Sequence, residues 1–105
     1  MLFGLALSES LWEQRIAVVS QLYFVKFGRF DEMIEIARLL LDHKHDLIHK
    51  AVGWLLREIG KQDLPVLEAF LQDQENYMNM PRTMLRYAIS KFDEQRRKEY
   101  LHGQV

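Results

Sequence analysis

The chain has 105 residues, enough for one domain, taken as 1–105, built around one modest core. Its 49% hydrophobic and 28% charged residues are ordinary for a globular chain, and the lack of cysteine excludes disulfides and thiolate zinc sites and fits a reducing, cytoplasmic setting. Net charge is −1, which argues against a generic polyanion binder, and no apolar run reaches the roughly 18 residues of a membrane span.

The segment "MLFGLAL" is too short and too poor in basic residues for a signal peptide and reads as structural. From there the apolar spacing is helical nearly throughout and predicts six helices. The first runs from about Leu11 to Lys26, with Ser10 and Glu13 as a capping box and Gly28 as its C′ residue. The second runs from about Phe30 to Asp42, with Asp31 and Glu32 suiting the dipole of its first turn. The third runs from about Leu47 to Gly60 behind Asp46 as N-cap, and the fourth from about Leu64 to Gln72 behind Asp63, with Pro65 tolerated in the first turn. "DQENYMN" reads as a loop. The fifth helix starts with Pro81 at N1 and ends near Phe92. The sixth runs from Glu94 to about Leu101, capped by Asp93.

An internal repeat decides between a plain bundle and a stacked array. With "WEQRIAVV", "IHKAVGWL" and "MLRYAISK" set beneath one another, Arg15, Lys50 and Arg86 align, and two residues on so do Ala17, Val52 and Ala88. One helix pair per unit is the period of an α-solenoid, and three units is about the minimum for stability. The expected fold is therefore all-α, a HEAT-like solenoid of about three helix pairs.

In such an array the aligned cations form a column on one surface. Residues 81–105 carry six Lys and Arg against three Asp and Glu, so the charge is uneven along the chain. On the third helix Ile48, Ala51, Val52, Leu55, Leu56 and Ile59 share the buried side, while Lys50, Trp54 and Arg57 share another. On the fifth, Arg82, Arg86 and Ser90 repeat that line. Gly53 would allow a close approach by a neighbouring helix or ligand. Cations spaced across repeats suit a phosphate backbone, and an aromatic among them can stack on a base or lie against a sugar. The competing reading is a solvated face with Trp54 packed by the next repeat.

"SESLWEQRIAVV", "DLIHKAVGWLLREIGK" and "MPRTMLRYAISKF" resemble the C-terminal half of AlkD-like DNA alkylation repair enzymes, from about Ser8 to Leu101. The resemblance implies a HEAT-like solenoid that excises N3- and N7-alkylated purines from duplex DNA, gripping the backbone on a concave face. The family's "LWxRR" arginine matches Arg15, near phosphate, and its "KAxGW" tryptophan matches Trp54, against the deoxyribose. Lys50, Arg57, Arg82 and Arg86 become backbone-contact candidates by position. Two departures stand out. The family's "RR" is "QR" here, with Gln14 in place of a cation. The catalytic aspartate and a second site tryptophan lie upstream of "LWxRR" in the family, and none of the ten residues of "MLFGLALSES" matches that aspartate. The chain is thus expected to resemble the last repeats of a longer enzyme, with no catalytic residue of its own and no cofactor.

Cleavage of a cationic alkylpurine needs a carboxylate to stabilise the oxocarbenium-like sugar and orient water. Glu58, four residues beyond Trp54, is the one candidate substitute, and its expected role is pairing with Lys61 or Arg57. His43, His45 and His49 lie among Asp42 and Asp46, but without a clear third ligand they read as capping residues and not as a zinc site. "QRRKEY" reads as the polar face of a terminal helix. A solenoid's end repeat exposes an apolar flank. Here "MLFGLAL" with Trp12 is expected to cap it, or else a second copy to cover it as a homodimer. The expected partner is duplex DNA, with a HEAT-type protein-interaction module as the alternative.

Overall fold

The computed structural model describes residues 11–41 and 43–103. Among them it has no strand, and six helices of seven residues or more: α1 Leu11–Lys26, α2 Asp31–Leu39, α3 Asp46–Gln62, α4 Leu64–Gln72, α5 Arg82–Ala88 and α6 Glu94–Leu101. The proposed Ser10 cap and the folding of "MLFGLAL" lie outside the described residues.

The helix ends follow local chemistry. Gly28 adopts φ 79°, and its N–H bonds Val25 O at 3.0 Å while the Arg29 N–H bonds Phe24 O at 2.9 Å, which closes α1 in a Schellman motif. Asp93 caps α6, its Oδ1 accepting the Arg96 N–H at 2.9 Å. Asp46 does not cap α3: it is the first helical residue, and His45 Nδ1 accepts the Leu47 N–H at 3.2 Å instead. Pro81 sits one position earlier than expected, as the N-cap of α5, and α5 ends at Ala88, short of Phe92. "DQENYMN" is partly ordered. A 3₁₀ turn spans Asp73–Glu75 and a single helical turn spans Asn76–Asn79, with Gln74 and Glu75 at φ 49° and 58°. Two adjacent non-glycine residues in the left-handed region bend the chain sharply there. Asn76 is buried and donates from Nδ2 to Phe70 O at 2.8 Å, pinning the bend to α4.

α1 packs with α2 and α3 with α4, while α6 is tied to α4 through Glu68 and to α5 through Arg82. α3 is central, lying against α1 on one side and α5 on the other, with α4 packed on it. The three helices that carry the aligned cations are therefore neighbours in one layer, as a helical-repeat array requires. The core between layers holds Ala17, Val18 and Val25 from α1, Met33 and Ile36 from α2, and Ile48, Val52, Leu55, Leu56 and Ile59 from α3, continuing through Leu67 and Leu71 to Met84 and Leu85. All six apolar positions expected on the buried side of α3 are buried. α3 and α5 approach closely at Gly53, where a Cβ would stand 2.6 Å from both Met84 O and Tyr87 Cβ, so a neighbouring helix takes the space.

Candidate nucleic-acid interface

The layer of α1, α3 and α5 presents Arg15, Lys50 and Arg86 to solvent, one from each helix. Arg15 and Arg86 have no ion pair among the described residues, so their guanidinium groups carry undiluted charge. Lys50 Nζ lies 3.2 Å from Asp46 Oδ2 one turn back, an exposed pair that an incoming anion can displace at small cost. Trp54 is half-buried and packs against the edge of the core. It is thus neither a free aromatic nor a core residue, but a ring with one part fixed and one part accessible.

Arg57 continues the α3 line, half-buried, its Nε 3.8 Å from Glu58 Oε2. That separation is too long for a hydrogen bond, and Nε is shielded from solvent without an acceptor. Glu58 also takes Lys61 Nζ at 3.4 Å. The expected pairing of Glu58 is the observed one, which leaves this carboxylate committed to two cations. Arg82 departs from the line. Its Nη1 donates to Leu101 O at 2.8 Å, so it ties the start of α5 to the carbonyl end of α6. A cation there also suits the negative end of that helix.

The histidines form a junction, and no group of three His, Cys, Asp or Glu side chains that could hold a metal occurs among the described residues. His43 Nδ1 accepts the His45 N–H at 3.0 Å, which leaves Nε2 as the protonated nitrogen, donating to Gln14 Oε1 at 2.7 Å. His49 Nε2 bonds the His43 carbonyl. Burial, and then the fields of His49 and His45, hold His43 below the usual histidine range. Gln14, where the resembling family has a cation, here joins α1 to the α2–α3 turn.

"QRRKEY" hides what sequence reading missed. Two of its residues turn inward. Tyr100 is buried, and its hydroxyl donates to Glu68 Oε1 at 2.7 Å and accepts from Gln72 Nε2 at 3.0 Å. Arg96 reaches the same Glu68 oxygen through Nε at 2.9 Å and Nη2 at 2.7 Å, and Glu99 through Nη1 at 3.1 Å. Burial is the main cause that pushes Tyr100 up to about 12, with Glu68 adding to it. The i, i+4 spacing of Arg96 and Tyr100 was the available signal.

At the opposite end of the stack the described residues of α1 and its C-terminal turn present an apolar stripe. Trp12, Tyr23 and Phe27 are 68%, 66% and 69% exposed, and Ile16 lies among them at helical spacing. Tyr23 and Phe27 touch each other, with ring centroids 5.0 Å apart.

Fold and surface together define a class: an all-α helical-repeat protein whose one outward layer carries a cation from every helix pair. The model of the DNA alkylation repair enzyme family matches residues 1–92. The chain belongs to that family. The match stops just before the Asp93 cap, so α6 lies beyond it. Comparison with curated proteins and with solved structures returned no match.

Proposed function

We propose that this chain binds the backbone of duplex DNA through the outward layer of α1, α3 and α5. In this reading it corresponds to the HEAT-like C-terminal repeats of a glycosylase that excises N3- and N7-alkylpurines. Arg15 and Arg86 contact phosphates, Lys50 and Arg57 extend the grip along α3, and Trp54 lies against a deoxyribose. One observation carries the reading: exposed Arg15, Lys50 and Arg86 come one from each neighbouring helix, with Trp54 one turn from Lys50. Arg82, held by the Leu101 carbonyl, serves to anchor α6. The chain binds without cleaving, because no residue matches the family's catalytic aspartate and Glu58 is engaged by Lys61 and Arg57. The test is duplex binding across a salt series for the parent chain, Arg15→Ala and Trp54→Ala, with an assay for release of 7-methylguanine from the same samples. Binding that weakens steeply with salt, and more weakly in both variants, without base release, is the expected outcome.

A second reading, an interaction module that keeps the fold without the repair role, is favoured by the exposed stripe of Trp12, Ile16, Tyr23 and Phe27. Its simplest form is pairing of two copies through α1.

A further inference from the structure

A cleft of about 340 Å³ opens between the second and third helix pairs, where the end of α3 faces the segment that joins α5 to α6. Its apolar lining comes from Leu64, Leu67, Ala88 and Phe92, and its cations are Arg57, Lys61, Lys91 and Arg96. The one acid in the lining, Asp93, keeps its charge while accepting the Arg96 backbone N–H, and the Arg96 guanidinium is held by Glu68 and Glu99. Three cations remain to meet a ligand, against the charges of Asp93 and Glu58. Lys91 is exposed and has no ion pair among the described residues. Lys61 shares Glu58 with Arg57. Arg57 brings a shielded Nε–H with no acceptor.

We propose that this cleft binds a small phosphate monoester carrying an aromatic or aliphatic body. The phosphate dianion faces Arg57, Lys61 and Lys91, and the body covers Ala88 and Phe92. The lining selects for both halves. Inorganic phosphate leaves the apolar wall wet. A neutral apolar molecule leaves the cations unanswered. Arginine and lysine together suit phosphate oxygens, the one through directed N–H groups and the other as a mobile point charge. The site stands apart from the DNA reading, although Arg57 borders both surfaces.

The experiment is an NMR titration of the isotope-labelled chain with phenyl phosphate, inorganic phosphate, phenol, and a short duplex ending in 5′-hydroxyls. Phenyl phosphate is expected to shift the amides of Leu67, Ala88 and Phe92 and the Nε–H signal of Arg57, saturating at roughly millimolar concentration, as suits a ligand of this size. Inorganic phosphate and phenol should each bind at least about fivefold more weakly. Lys91→Glu, at an exposed position, should weaken phenyl phosphate by about tenfold and leave the dispersion of the spectrum intact. The proposal is overturned if phenyl phosphate moves none of these signals, if inorganic phosphate or phenol alone binds as well, or if Lys91→Glu changes nothing. It is also overturned if the duplex shifts the same signals and phenyl phosphate displaces it, since the cleft would then belong to the DNA backbone.

Discussion

Gly53→Ala probes the joint that holds the cation-bearing helices together. A Cβ at this position would stand 2.6 Å from Met84 O and 2.6 Å from Tyr87 Cβ. Carbon contacts are comfortable at roughly 3.5–4.0 Å, so α3 and α5 must part by several tenths of an ångström or more. Neither obstacle can swing aside, because one is backbone and the other is the first carbon of a side chain. Overpacking of this kind costs about 1–3 kcal/mol. The helix propensity of alanine over glycine returns about 0.8–1.0 kcal/mol. The net expectation is a loss of about 1 kcal/mol, with 2 kcal/mol as the upper figure. At about 4–8 °C per kcal/mol for a domain near this size, the midpoint of thermal unfolding should fall by roughly 4–8 °C. Gly60→Ala is the internal control. Its Cβ would meet Leu67 Cδ2 at 2.5 Å, but that atom is the far end of a flexible side chain and can move. Circular dichroism melts of both variants decide the matter. A Gly53→Ala chain as stable as the parent, or a Gly60→Ala chain that loses more, would refute the reasoning.

Three further outcomes follow. Tyr100 is raised in the fold to about 12 from an ordinary value near 10. The unfolded chain thus ionises first, and stability should fall as pH rises between those values; Tyr100→Phe should flatten that fall and cost about 1–3 kcal/mol at neutral pH through two lost hydrogen bonds. His43 is lowered in the fold, so the unfolded chain binds the extra proton first, and stability should be full above about pH 6.5 and decline as pH drops below it. Urea unfolding at pH 7.5 and 5.5 measures the decline, and His43→Asn should reduce it. Light scattering at rising concentration should reveal association through the α1 flank, abolished by Trp12→Glu with Phe27→Glu; a monomer at all concentrations would remove the pairing of copies.

The repeat was legible because it rests on spacing. Arg15, Lys50 and Arg86 mark equivalent turns, and equivalent helices lie side by side in the fold. Gly28 and Asp93 were legible because each has a local mechanism, a left-handed φ and a capping oxygen. Gly53 was legible only in part, since composition cannot tell a neighbouring helix from a ligand as the reason for a missing Cβ. The tie of Arg82 to α6 was hidden because its partner is a carbonyl 19 residues away, and carbonyls leave no trace in a sequence. Tyr100 and Arg96 were hidden for a related reason. Six polar or charged letters in a row look solvated, and only the position of Glu68 on another helix draws two of them inward. Gln14 looked like a lost cation, and its tie to His43 spans 29 residues. The cleft was invisible because Arg57 and Lys91 come from different helix pairs and meet only through packing.

The central claim is that the outward layer of α1, α3 and α5 grips a phosphate backbone. Fluorescence anisotropy of a labelled duplex, measured from about 20 to 200 mM salt, tests it most directly. With three or four phosphates neutralised, the logarithm of the binding constant should fall with the logarithm of salt at a slope near −3. Arg15→Ala and Arg86→Ala, both at exposed positions, should each weaken binding and make that slope shallower by about 1. No binding at the lowest salt, or binding whose slope ignores both substitutions, would contradict the account.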